Sequence, residues 1–397
     1  MSFITLDDKS ECVGVYQNGE LHFKNFPTTI DRTWKYAPHL EKEDIEYAHL
    51  FCEGKEMADV CPEYLKPQWE ASNKKLGAFI QSFKESKVNF EDNCIYDLLP
   101  KQFLLEFCDI KTKIVDHVFT EYKKPVNYQF SLDLEKVLDS IKRQKLNISL
   151  DPLQKRLHEV RVRDFIKSTA GWSKNIDYNQ FGSKTGRLTT KPQTFPILNL
   201  NSDYRSIIKP NNDFFLELDF NAAELRVLMS LAGQSQPDID LHEWNAKRLN
   251  MTREEVKTQT FAWLYGSSKV DAHKYNEIFS TNGVLKKYYA DGVVTNYFGR
   301  EIPSDDFHAI NYIVQSTTSD MVLRQVIKVF EMLKDKKSKI SFIVHDSLLI
   351  DVSSSDKLDL KSLVETFSST AFGRLPARIK CGTSYGNLAN LEQAGKL

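Results

Sequence analysis

The chain has 397 residues, 41% hydrophobic and 27% charged, enough for two or three folding units with buried cores. A formal net charge of −1 excludes a uniformly basic protein that coats polyanions, although a balanced chain can still gather cations on one face. Six scattered cysteines without a CxxC pair exclude a zinc-ribbon pattern and predict reduced thiols. The N-terminus lacks a basic-then-apolar leader, and no apolar run nears the ~18 residues of a membrane span, so the chain reads as soluble with no membrane partner.

In chain order, residues 1–25 predict short strands at Phe3–Leu6 and Cys12–Tyr16, then a third after Asn18-Gly19, a hairpin signal. From about 60 to 170 the apolar spacing is helical, as in Phe103, Leu104 and Phe107, or Leu134, Val137, Leu138 and Ile141. Seven basic residues gather between 142 and 163: Lys142, Arg143, Lys145, Lys155, Arg156, Arg161 and Arg163. Taken alone, such a run is a solvated helical face. At 214 the character changes. Phe214–Phe220 is β-rich and Ala222–Leu231 helical, followed by a helix around 240–266, the segment 284–303 and a helix around 308–334. A hairpin over Ile340–Val352, a helix around 357–372 and a strand near Ala377–Gly382 complete an α+β pattern, a small sheet backed by helices.

Three stretches carry chemistry. In LELDFNAAELRVLMSLAG a strand running into a helix leaves Asp219 at the strand end, where a divalent metal can use a carboxylate and a backbone carbonyl. By itself an aspartate at such a junction is more often a helix N-cap. In IVHDSLLI, two β-runs flank a turn that spends His345 and Asp346 where glycine or asparagine is usual. Two aspartates on neighbouring strands suit a two-metal site for phosphoryl chemistry. In REEVKTQTFAWLYG, Arg253, Lys257, Phe261 and Tyr265 recur every four residues and so share one helix face. Cations followed by rings fit a nucleoside triphosphate, phosphates on one side and sugar and base on the other.

Together these stretches resemble motifs A, B and C of the family A, DNA polymerase I-like, DNA polymerases. Thr185-Gly186-Arg187-Leu188, an NIP-like position at Asn199, Asp240-Leu241-His242, Tyr297–Arg300 and Asn311-x3-Gln315-x4-Asp320 resemble further family segments, in family order. The resemblance is clear from about 185 to the C-terminus. It implies a right-hand fold with an antiparallel palm sheet, helical fingers and a helical thumb, and template-directed extension of a DNA primer 3′-hydroxyl with dNTPs. It divides the chain into a small β-containing element (1–60), thumb and palm entry (61–184), palm with motif A (185–239), shortened fingers (240–303), and palm with motif C and the last strand (304–397). Asp219, Asp346 and the Phe220 carbonyl would hold two Mg²⁺ ions, for which Mn²⁺ can substitute. Arg253, Lys257 and His242 would meet the triphosphate, with Lys257 as acid for the leaving pyrophosphate. Phe261 would pack on the sugar, and Tyr265 would stack at the templating pair. Glu224 would fill the space of a 2′-hydroxyl. Arg187, Asn199, Asn311, Gln315 and His345 would contact the primed template, and the basic stretch 142–163 would grip phosphates.

Ser347 stands where the family usually has glutamate after His-Asp, and HDS with YGS is found in single-subunit RNA polymerases. Glu224 favours DNA. The other readings are an RNA polymerase-like enzyme and a catalytically inactive, DNA-binding subunit of this fold. Asp219 and Lys257 are 38 residues apart, Tyr265 and Asp346 81, both short for the family. Trimmed fingers and low processivity are therefore expected. Asp44-Ile45-Glu46 and Asp133-Leu134-Glu135 spell DxE outside a strand end. No proofreading domain is expected, and an exonuclease or processivity factor would be a separate subunit. Such compactness points to replication in a phage-infected or bacterial cytoplasm.

Overall fold

The computed structural model describes residues 2–3, 14–23, 30–38, 44–90, 92–237, 239–265 and 272–391. The chain divides into two compact units, Met1–Leu132 and Asp133–Leu397. The first is built on two helices, α1 (Lys66–Glu85) and α2 (Lys101–Glu121). On α2, Phe103, Leu104, Phe107, Ile114 and Val118 recur at helical spacing and are buried. Trp69, Leu76, Phe79 and Phe83 of α1 cover the first three. Asn18 and Gly19 take φ of 51° and 87° and close a hairpin between Val15–Gln17 and Glu20–His22, the turn that the dipeptide predicts. Of the predicted strands, Phe3–Leu6 falls mostly outside the described residues, and Cys12–Tyr16 is described from residue 14. The described pieces are Ser2–Phe3 and the first hairpin strand.

Helix α3 (Tyr128–Lys142) carries the chain into the second unit, whose centre is a five-stranded antiparallel sheet. Strand β1 (Phe214–Phe220) leads into α4 (Ala223–Leu231). Two helices follow, α5 (Leu241–Leu249) and α6 (Arg253–Leu264), then the long α7 (Asp306–Leu333). The hairpin β2 (Lys339–Val344) and β3 (Ser347–Val352), helix α8 (Leu360–Ser368), β4 (Ala377–Gly382) and β5 (Ala389–Asn390) complete the set. The spatial order is β2-β3-β1-β4-β5, so β1 is central, between the hairpin and β4. Its apolar residues are buried on both faces: Phe220 stacks on Phe367 of α8 at 4.3 Å, and Phe215 meets Phe342 of β2 edge-on at 6.2 Å.

Three expected elements differ in detail. The helix around 240–266 is two helices, because Asn250 turns left-handed at φ 54° and Thr252 with Glu255 restarts the chain in a capping box. The segment 284–303 is a helix, Thr281–Tyr288, followed by three short antiparallel strands ending at Pro303. The helix around 357–372 shortens to α8, whose start is fixed by Asp359 accepting from the Lys361 and Ser362 amides. Cys52, Cys61, Cys108 and Cys381 are free thiols, as expected, whereas Cys94 is disulfide-bonded. Among the described residues, no helix is long and apolar enough to cross a membrane.

Candidate active site

Sheet register brings the two aspartates together. Asp219, the penultimate residue of β1, lies opposite Ser347 of β3 and Arg378 of β4. The β2–β3 connection is the two-residue turn His345-Asp346, flanked by the pair Val344 and Ser347. His345 takes φ 53°, a left-handed conformation that favours glycine, so this turn holds backbone strain where the second carboxylate is presented. The Ser347 hydroxyl closes the turn by donating to the Val344 carbonyl at 3.0 Å. Asp219 is not a helix cap. The N-cap of α4 is Ala222, itself left-handed at φ 50° and without a side-chain capping bond, which leaves the Asp219 carboxylate to the cleft.

That cleft encloses about 180 Å³ and is lined by Asp219, Phe220, Glu224, His242, Arg253, Lys257, Phe261 and Asp346, with Arg378 and Asn221 among others. Eight predicted site residues thus meet around one cavity. Burial pushes the Asp219 carboxyl up to about 6, with Glu217 adding to the rise and Lys380 opposing it. Burial raises Asp346 too, against the pull of Arg187 and His345. Two carboxylates that their surroundings disfavour as anions suit a hard cation. Among the described residues no group of three or more His, Cys, Asp or Glu gathers, so such an ion would complete its shell with backbone and substrate oxygens.

The opposite wall is α6. Its first turn is secured by the capping box, and Arg253, Lys257 and Phe261 face the cleft one turn apart. Asp240 caps α5 by accepting from the Glu243 amide at 3.0 Å, and its other oxygen accepts from Arg253 at 3.0 Å and Arg378 at 3.2 Å. Against its desolvation, bonds from Arg253, the Glu243 amide and Asn221 hold the Asp240 carboxyl far below the usual carboxylate range. The His242 ring is buried and tilted against Phe261 at 5.9 Å, its Nδ1 without a hydrogen-bond partner among the described residues. Burial lowers its pKa. Tyr265 ends the helix, stacked 6.4 Å from Phe261 and half-exposed. Residues 266–271, with Ser267 of the YGS sequence, lie outside the described residues.

Glu224, 4% exposed, sits at the cleft end of α4. The Arg187 guanidinium and the Tyr265 side chain both bond to it. Burial nevertheless raises its carboxyl to about 7. Arg187 belongs to a loop clamped on α7: Thr185 donates to Gln315 at 2.6 Å, and Ser319 donates to the Gly186 carbonyl at 2.9 Å. Gly186 has φ 74°, and a Cβ there would lie 2.7 Å from the Arg300 guanidinium. Arg300 in turn makes two bonds to buried Asp320, which also accepts from Asn296.

The remaining predicted residues do not line the cleft. Asn311 donates to the Leu264 carbonyl at 3.2 Å and so anchors the end of α6. Gln315 accepts from Thr185, Asn199 ends the 3₁₀ turn Ile197–Asn199, and His345 lies exposed beside a smaller cavity with Arg187. Four of the seven basic residues at 142–163 are matched by carboxylates: Lys142 by Asp177, Arg143 by Asp139, and Arg156 and Arg161 by Glu159 and Asp203. Arg163 donates to two backbone carbonyls. Sequence reading missed Arg378, for which no motif gives a signal. Only strand pairing sets it beside Asp219.

The sheet and the helices that flank it have a counterpart among solved structures. The POL domain of Pol1 from M. smegmatis, solved in complex with DNA primer-template and dNTP, matches with a TM-score of 0.56 at 15% identity, over 72% of this chain and 76% of that one. The fold is the α+β fold of a DNA polymerase domain. By sequence, the chain is 23% identical to a DNA polymerase I of Borreliella burgdorferi over 77% of its length and 43% of the relative's. It is 29% identical to a DNA polymerase of Mycobacterium phage L5, over 38% of this chain and 31% of that one. No family model matches. The chain is similar to these DNA polymerases, and it spans less than half the length of the two relatives.

Proposed function

We propose that this chain is a template-directed DNA polymerase that extends a primer 3′-hydroxyl with dNTPs. One observation carries the reading: a carboxylate at the end of β1 and one on the adjoining β2–β3 turn share a cleft with the cationic and aromatic face of α6. The five-stranded sheet serves as palm, 240–303 as fingers, and helices within 61–184 as thumb. Asp219, Asp346 and the Phe220 carbonyl would hold two Mg²⁺ ions, or Mn²⁺ in their place, supplying Lewis-acid stabilisation of phosphoryl charge. Arg253, Lys257 and His242 bind the triphosphate, and Phe261 packs on the sugar. The new bond joins the primer 3′ oxygen to the α-phosphorus. The bond to the β-phosphate oxygen breaks, the hydroxyl proton passes to water, and Lys257 protonates the departing pyrophosphate. Arg187, Asn199, Asn311, Gln315 and His345 face the primed duplex, directly or by holding residues that do. Their contacts are sequence-independent.

Glu224 selects deoxyribose. Burial and bonds from Arg187 and Tyr265 fix its position, so a ribose hydroxyl could enter only by displacing a bonded carboxylate. Replication in a bacterial or phage-infected cytoplasm, with proofreading and processivity supplied by separate subunits, fits this reading. Metal-dependent primer extension with wild type, Asp219→Asn and Asp346→Asn tests it. Extension that requires Mg²⁺ and is abolished in both variants is expected. Undiminished extension by Asp346→Asn would exclude the assignment, and equal use of rNTPs by wild type would favour an RNA polymerase-like enzyme.

A further inference from the structure

Arg378 carries chemistry that the motif reading leaves unassigned. It sits on β4 directly across from Asp219, on the side of β1 away from β3 and Asp346. Its side chain is 48% exposed and lines the same cleft as Arg253 and Lys257. Asp240 accepts from both arginines through one oxygen, at 3.0 and 3.2 Å, while its other oxygen is committed to the Glu243 amide. Asp240 therefore does more than cap α5: it ties a guanidinium from the helical wall to one from the sheet. Arg378 pairs with no other carboxylate among the described residues, and a guanidinium has five N–H donors, so most of its fork remains available to the cleft.

We infer that Arg378 is a further substrate-binding residue, which with Arg253 and Lys257 grips the β- and γ-phosphates of the incoming nucleotide, and that Asp240 is the positioning residue for both arginines. The inference rests on the polymerase reading. On that reading His345 and Asp346 meet the primer end, so a triphosphate whose α-phosphate lies at Asp219 extends its tail to the other side of β1, toward Arg378. The three cations Arg253, Lys257 and Arg378 face that tail from two walls, and planar guanidinium forks are suited to phosphate oxygens.

The test pairs a binding measurement with kinetics on the full chain. Wild type, Arg378→Ala, Arg378→Lys and Asp240→Asn are titrated with inorganic tripolyphosphate in Mg²⁺ by calorimetry, and dNTP KM and kcat are measured on a primed template. Loss of one charge-assisted contact in Arg378→Ala is expected to weaken tripolyphosphate binding and raise dNTP KM about tenfold, with kcat little changed. Arg378→Lys should recover part of the loss, and Asp240→Asn should raise KM similarly by freeing both guanidiniums. Thermal melts verify folding. Arg378→Gln, which keeps the stem, replaces Arg378→Ala if that variant does not fold. Unchanged affinity and KM, or a fall in kcat alone, would overturn the assignment. Tripolyphosphate binding through Arg378 in a wild type that extends no primer would instead remove the polymerase reading and leave the anion site standing.

Discussion

Glu224→Ala is the most informative perturbation of the cleft, because it separates two consequences of one buried carboxylate. Glu224 is 4% exposed and bonded by Arg187, whose side chain is 31% exposed. Removing one partner of a buried ion pair costs about 3–5 kcal/mol; partial exposure of Arg187 places this case at the lower end, about 3 kcal/mol. In a unit of this size that lowers the melting temperature by on the order of 5–10 °C. The second consequence is selectivity. A ribose hydroxyl must overpack the wild-type site and break a charge-assisted bond, together about 3 kcal/mol or more, so truncation should relax dNTP-over-rNTP preference on the order of a hundredfold. Single-nucleotide incorporation of each dNTP and rNTP, with far-UV circular dichroism to confirm folding, measures the second effect. Differential scanning calorimetry measures the first. Glu224→Gln keeps the bulk and loses the charge, so it should be destabilised while retaining most of the selectivity. A folded Glu224→Ala enzyme with wild-type sugar preference would refute the reasoning.

Phe261→Tyr should raise incorporation of dideoxynucleotides relative to dNTPs, since the added hydroxyl can replace the missing 3′ group; an unchanged ratio in competitive extension would count against its place at the sugar. Gly186→Ala combines a left-handed φ of 74° with a Cβ 2.7 Å from the Arg300 guanidinium. The backbone part alone costs about 1–2 kcal/mol. Because Arg300 must shift from Asp320 and the loop carries Arg187, weaker primer-template binding should accompany a lower melting temperature, read by fluorescence anisotropy and calorimetry. Burial pushes the Cys52 and Cys108 thiols up to about 11. The folded thiols therefore keep protons that the unfolded chain releases above the ordinary thiol value of 9.0, so stability is full below that pH and falls as pH climbs toward 11. Melting curves across that window show the loss, and native alkylation at pH 8 should be far slower than alkylation in denaturant. Equal rates would contradict the burial.

The site was legible where chemistry and local geometry coincide. A four-residue repeat on a helix fixes which side chains share a face, so Arg253, Lys257 and Phe261 could be placed in one cleft from sequence. A β-run interrupted by His345-Asp346 specifies its own turn, and Phe214–Phe220 and Ala377–Gly382 match the described strands residue for residue. Helix ends were less legible: the break at Asn250 and the capping box at Thr252 divide what periodicity reads as one element. Basic residues counted along 142–163 gave no view of Asp177 and Asp203, which the fold sets against them. Sequence alone determined the two aspartates, the cation–aromatic ladder and the α+β character, since each is encoded in a short window. Only tertiary structure decided that Arg378 stands beside Asp219, that Asp240 joins it to Arg253, and that Arg187 closes on Glu224. Those pairs lie 159, 138 and 37 positions apart in the chain, and strand order and loop docking, which no local pattern records, bring them into contact.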